Sequence, residues 1–141
     1  MRDVARTLLK PFELFDFTEI PDASGTLFVG ELMPHGASVQ RFYFITGVPA
    51  GARRGGHAHR TQAKFLVCVQ GSLELRIEGQ GRVDIVRLDR VGRALYLPAG
   101  YWLDLVNFSP GAVLAVLSEH AYDEADYIRD HAEFRRWELS A

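Results

Sequence analysis

Cysteine and lysine are nearly missing from this chain. Cys68 is the single cysteine, and Lys10 and Lys64 are the only lysines among 141 residues. One cysteine excludes an internal disulfide framework. Its place in the apolar run Phe65-Leu66-Val67-Cys68-Val69 reads as a small buried filler rather than a nucleophile. A surplus of one charge sign is missing too: the net charge is −2, which speaks against a nucleic-acid partner. No apolar run approaches the roughly 20 residues that a membrane-spanning helix needs, so no membrane partner is expected. The N-terminus lacks the basic-then-apolar pattern of a secretory signal, and the expectation is a soluble cytoplasmic protein. Hydrophobic residues make up 48%, enough for a real core, and the length fits one domain over residues 1–141.

Helical periodicity is also scarce. Short alternating or apolar segments separated by Gly/Pro turns run through the chain: Phe12 to Phe17, Thr26 to Glu31, Gln40 to Ile45, Lys64 to Val69, Leu73 to Ile77, Val83 to Leu88, Ala94 to Leu97, Trp102 to Val106 and Val113 to Leu117. Turn chemistry falls at Pro21 to Gly25, Pro34-His35-Gly36, Gln70-Gly71-Ser72, Gly79-Gln80-Gly81 and Pro98-Ala99-Gly100. Residues 1–11 read as a short helix or a strand arm. Only the tail, about Asp123 to Trp137, reads as helical, with Tyr127, Phe134 and Trp137 placed to pack back on a sheet. This pattern predicts an all-β sandwich or barrel with a short C-terminal helical segment.

Against that background one stretch stands out, Arg53-Arg54-Gly55-Gly56-His57-Ala58-His59-Arg60. A strand has a side-chain period of two, so His57 and His59 are expected on one face. Gly55, Gly56 and Ala58 leave room beside them. Two imidazoles converging on a cavity serve either a metal site or paired proton transfer, since histidine changes charge near neutral pH. By the same period, Arg41 and Tyr43 share a face of their strand.

Two spacings resemble the motifs of the cupins, a jelly-roll class. Gly51, His57, His59 and Gly71 fit the first motif, with Lys64 in its glutamate position. Gly92, Pro98, Gly100 and Asn107 fit the second, with Leu103 in its histidine position. In metal-binding cupins those two histidines, the glutamate and the second histidine hold a divalent ion. Here two of the four remain, leucine cannot ligate, and Lys64 would oppose a cation, so no metal is expected.

A closer resemblance covers nearly the whole chain from about Phe12. Arg54-Gly55-Gly56-His57-Ala58-His59-Arg60, Leu66 to Ser72, Arg41-Phe42-Tyr43 and Tyr122-Asp123-Glu124-Ala125-Asp126-Tyr127-Ile128-Arg129 are similar to the dTDP-sugar 3,4-ketoisomerases, the WxcM-like cupins. That resemblance implies isomerisation of a dTDP-linked 4-keto-6-deoxysugar to the 3-keto sugar, without metal or cofactor, in a homodimer. It places His57 and His59 as catalytic groups. Arg41 would hold the pyrophosphate by charge-assisted bonds, with Tyr43 and Arg54 beside it and Trp102 as an aromatic wall. Lys64 is expected to point into the same cavity, to lower the histidine pKa values and to stabilise an enediolate oxygen. The chain departs from the family at Lys64, where glutamine is usual, at Trp102-Leu103-Asp104, where Trp-His-Glu is usual, and at Ser24, where an arginine is usual. The other readings open at this point are a non-catalytic sugar-nucleotide-binding cupin and a metal-dependent cupin enzyme.

Overall fold

A computed structural model describes residues 9–32 and 38–140. The turn expected at Pro34-His35-Gly36 lies outside these residues, as does most of the 1–11 arm. The strands are β1 (Glu13–Asp16), β2 (Thr18–Asp22), β3 (Gly25–Val29), β4 (Arg41–Thr46), β5 (Arg54–His59), β6 (Lys64–Gln70), β7 (Leu73–Gly79), β8 (Arg82–Leu88), β9 (Arg93–Leu97), β10 (Trp102–Val106), β11 (Val113–Ser118) and β12 (Tyr127–Ile128). One helix, α1 (His131–Ser140), follows. Among the described residues no helix is long and apolar enough to cross a membrane.

Two five-stranded sheets face each other, ordered β1-β9-β6-β11-β4 and β12-β5-β10-β7-β8, and β2-β3 form a separate hairpin. Every strand pairing within the sheets is antiparallel. The predicted jelly-roll class is therefore the fold. Alternation sorts the side chains: Leu66, Leu75, Ile77, Leu95, Leu103 and Leu114, each at most 1% exposed, fill the space between the sheets. Fully burying such a side chain contributes about 1.5–3 kcal/mol, so this core holds the sandwich shut. The β7–β8 hairpin closes through Gln80 and Gly81, whose positive φ values of 57° and 75° make the mirror-image turn that matches strand twist.

Two sequence expectations shift. Pro21 belongs to strand β2, paired with Thr26, and the turn narrows to Ala23-Ser24. A two-stranded ribbon has an open side, so proline's missing N–H costs no ladder bond there. Asp22 makes the turn by accepting from the backbone N–H and the hydroxyl of Ser24. The tail is helical only from His131. Before it, Glu124–Asp126 form one 3-10 turn capped by Asp123, and β12 adds a short strand to the edge of β5.

Beneath α1 lies a second apolar cluster of Ala58, Trp102, Ile128 and Phe134, with Trp137 against it. Trp102 and Ala58 are neighbours across the β5–β10 ladder and point to the outer face. Phe12, Phe15 and Phe17 are half-buried: Phe12 meets Tyr101, and Phe15 meets both Phe17 and Phe65.

Candidate active site

The end of the sandwich where β4, β5 and β6 meet the tail holds a cavity of about 440 Å³. Its floor is apolar, from Leu66, Leu103, Leu105 and Val116. Its walls and rim carry Arg41, Arg54, His57, Lys64, Tyr43, Tyr122, Tyr127 and Arg129. Among the described residues that line it there is no carboxylate. Arg41 and Arg54, with Lys64 and the Glu124-paired Arg129, make a wall whose field favours an anion.

A bulge in β5 builds part of this wall. Leu103 lies opposite His57, but Asp104 lies opposite Gly55, so Gly56 is the extra residue. Gly55 and Gly56 have φ values of 81° and 72°, and a Cβ on Gly55 would fall 2.8 Å from the Leu103 carbonyl oxygen. Only glycine fits such a place. The inserted residue breaks the alternation, so Arg54 and His57, three apart, both reach the cavity.

His57 lies at the cavity wall with its Nε2 3.4 Å from Lys64 Nζ. His59 shares its face, with ring centroids 5.1 Å apart, but is 4% exposed and stands behind Tyr127, whose ring is 4.4 Å away. The Nδ1 of His59 contacts Asp126 Oδ2 at 2.9 Å and Gln62 Nε2 at 2.9 Å. Asp126 is fixed by the Thr61 N–H and hydroxyl, both at 2.7 Å from Oδ1. Among the described residues no three His, Cys, Asp or Glu side chains gather as a metal site.

Arg41 spans the open edge between the sheets. Its Nη2 donates to the Tyr127 hydroxyl at 3.1 Å, joining β4 at the edge of one sheet to β12 at the edge of the other. The guanidinium also lies 5.1 Å from the Tyr43 ring and 5.6 Å from the Tyr122 ring. Arg129 stacks at 4.2 Å over Tyr127 and is held by Glu124, which also accepts from the Tyr122 hydroxyl.

Burial and neighbouring cations set the protonation states. Burial, then Lys64, then His59 push the His57 pKa down to about 3. His59 falls to about 4, chiefly through burial and Lys64, against the opposing pull of Asp126. Lys64 falls to about 7, because burial and Arg41 disfavour its ammonium more than Asp126 favours it. Burial raises Asp126, but the Thr61 and His59 bonds outweigh it and hold the carboxyl below its usual range. Two neutral imidazoles and an amine that titrates near neutrality thus stand together.

Of the residues singled out from sequence, His57, Lys64, Arg41, Tyr43 and Arg54 line one cavity. His59 adjoins it. Trp102 does not belong to it: next to the inward Leu103, it must face outward, where its Nε1 donates to Asp104 Oδ2 at 3.2 Å and its ring meets His131 edge-on. Tyr122, Tyr127 and Arg129 form cavity walls that sequence reasoning did not assign. The signal available was their tail segment, but its return to the edge of β5 is a long-range pairing that no local pattern shows.

Neutral imidazole and amine at one wall and arginines at the rim are groups suited to acid/base chemistry on an anionic molecule. The family described as FdtA, WxcM-like, C-terminal, matches residues 10–138, and the chain belongs to it as an enzyme of the sugar-nucleotide 3,4-ketoisomerase class. It is 30% identical over 126 residues to the TDP-4-oxo-6-deoxy-alpha-D-glucose-3,4-oxoisomerase of Aneurinibacillus thermoaerophilus, covering 89% of this chain and 91% of the relative. Among solved structures it resembles QdtA, a sugar 3,4-ketoisomerase from Thermoanaerobacterium thermosaccharolyticum in complex with TDP. There the TM-score is 0.87 at 30% identity, covering 92% of this chain and 95% of that one. A histidine-to-asparagine mutant of QdtA in complex with TDP-4-keto-6-deoxyglucose gives a TM-score of 0.88 at 29% identity, covering 94% and 97%.

Proposed function

We propose that the protein moves the keto group of a nucleotide-linked 4-keto-6-deoxysugar from C4 to C3 by proton transfer through an enediol, without a metal. The observation that carries this reading is His57, neutral at working pH, on the wall of a cavity rimmed by arginines and free of carboxylates. Carbonyl migration needs the C3 proton removed, an enediol formed and a proton returned to C4. A neutral imidazole performs the first step and, once protonated, the last. Of the two histidines proposed for proton transfer, His57 is at the wall and takes the carbon proton. His59, anchored by Asp126, backs it.

Arg41, Arg54 and Arg129 supply charge-assisted donors for the diphosphate, and Tyr43 flanks Arg41. QdtA is described with TDP and with TDP-4-keto-6-deoxyglucose, which supports a dTDP-linked substrate here. The donor set supports the metal-free route: leucine occupies one cupin ligand position and an amine another. A cytoplasmic single-domain enzyme fits this substrate.

A homodimer completes the proposal, although of the apolar N-terminal residues Phe12, Leu14, Phe15 and Phe17 only Leu14 is exposed, at 40%, and the other three are half-buried within the chain. Its support is the outer side of β4, where Phe42 and Phe44 are 55% and 60% exposed and their rings touch at 4.8 Å. Light scattering at micromolar concentration should return twice the chain mass.

The reaction is tested by incubating the enzyme with dTDP-4-keto-6-deoxyglucose in deuterated water and reading the sugar by NMR. The 3-keto product is expected, with the hydrogen gone from C3 and C4 carrying either that hydrogen or solvent deuterium. A sugar that keeps its hydrogen on C3 refutes the enediol route.

A further inference from the structure

Lys64 is the one amine among the described residues that line the cavity, and its surroundings disfavour its charge. It opens β6 at 3% exposure, and Leu66, Leu103, Leu105 and Val116 share the cavity with it. None of the described lining residues is a carboxylate that could pair with it. Its one hydrogen-bond contact among the described residues is His57 Nε2, at 3.4 Å, which is longer than a strong hydrogen bond. A buried lysine without a counter-ion sheds its proton and becomes a nucleophile near neutral pH. Burial and Arg41 bring its pKa to about 7.

An electrophile for this amine has three conditions to meet. It must be small, because an amine at 3% exposure admits nothing broad. It must enter over an apolar floor. Its adduct must be anionic, because Arg41 and Arg54 share the cavity and favour negative charge. Carbon dioxide meets all three.

We infer that Lys64 is a carbon dioxide site, where its amine reversibly forms a carbamate that the arginines hold and that keeps a diphosphate out. The Nζ lone pair forms a bond to the carbon of CO2, and one C=O π pair moves onto oxygen. An N–H proton then leaves by way of His57 Nε2 to water. The products are a carbamate anion and one released proton, and nothing is oxidised or reduced. The reverse step needs only that proton. A disfavoured cation thereby becomes an anion among cations.

The charged and titratable groups around Lys64 are Arg41 on β4, His57 and His59 on β5, and Asp126 in the 3-10 turn. Arg41 favours the carbamate, and both histidines are neutral near pH 7. Asp126 opposes it, but its oxygens are engaged by the Thr61 N–H and hydroxyl and by His59. Its ladder neighbours, Ser118 on β11 and Leu97 on β9, add no charge.

Carbon-13 NMR of the sealed protein with labelled bicarbonate at pH 8 tests the adduct in wild type, Lys64→Met and Lys64→Arg. Wild type should show a carbamate resonance that both variants lack, since neither side chain offers a free amine. Trapping with triethyloxonium and peptide mapping should place it on Lys64. Carbamate only at Lys10 or the terminal amine, present equally in all three proteins, overturns the assignment. Calorimetry with TDP, in bicarbonate against chloride at equal pH and ionic strength, reads the consequence. Bicarbonate should weaken TDP binding to wild type by about 10-fold and leave each variant at its own chloride value. A wild-type carbamate that persists undiminished with TDP bound overturns the exclusion of the diphosphate. The carbamate stands without the ketoisomerase reading and only its effect on TDP rests on that reading, so the fate of the C3 hydrogen remains a separate test of the reaction.

Discussion

Replacing Lys64 by methionine should make the protein more stable at neutral pH. An ammonium that titrates at 10.5 in the open chain and at about 7 when folded is disfavoured by the fold. That shift of about 3.5 units corresponds to about 5 kcal/mol, since one unit is 1.36 kcal/mol. The sign follows from proton counts. Between pH 7 and 10.5 the unfolded chain keeps the lysine proton and the folded chain sheds it, so stability rises with pH across that window. From about pH 7 to 9 the wild type should gain about 2 kcal/mol. Lys64→Met removes this titration, but it also takes a hydrogen-bond contact from His57, which costs about 1–3 kcal/mol, leaving a net gain of about 2 kcal/mol at pH 7. Urea unfolding at one protein concentration, at pH 7 and pH 9, reads both values. The histidines shape the acid side: with folded pKa values of about 3 and 4 against 6.5, they withdraw stability as pH falls below about 6.5. A wild type equally stable at pH 7 and 9, or a Lys64→Met variant weaker than wild type at pH 7, would refute the reasoning. A buried cation that costs stability at working pH marks a position kept for function.

Arg41→Ala should weaken TDP binding by at least about 10-fold, because a charge-assisted donor and the bridge to Tyr127 go together; calorimetry at two salt concentrations measures it. Trp102→Phe should leave KM for the nucleotide sugar unchanged while costing about 1 kcal/mol of stability, read by urea unfolding, since its indole donates only to Asp104. Phe134→Ala should cost about 3–5 kcal/mol by the same assay, because this ring is fully buried between α1 and the outer face of β5 and β10.

The fold was legible because period-two patterning is local. It put His57 with His59 and Arg41 with Tyr43, and those pairs do share faces. The same rule, applied to Leu103 as an inward residue, sends Trp102 outward and removes it from the cavity. Arg54 was named through the resemblance and not through the pattern, because the bulge that turns it inward depends on two left-handed glycines facing Leu103 and Asp104 across a ladder. Tyr127 and Asp126 were hidden for a related reason: their partners, Arg41 and His59, lie 86 and 67 residues away. The depression of the histidine pKa values by Lys64 was anticipated, but burial, which is a property of the whole sandwich, is the larger cause.

The bulge at Gly56 divides β5 into two segments with independent phase. Residues after it keep step with Leu103, and residues before it keep step with Leu105. Removing that one glycine would give an unbroken ladder in which Arg54, now two residues before His57, still stands opposite Leu105 and still faces the cavity. Pairing both glycines in a regular ladder would instead turn Arg54 to the outside while His57 and His59 stayed where they are. What the anion-holding end of this strand presents therefore depends on whether Gly56 is left out of the pairing, and the proton-moving end does not.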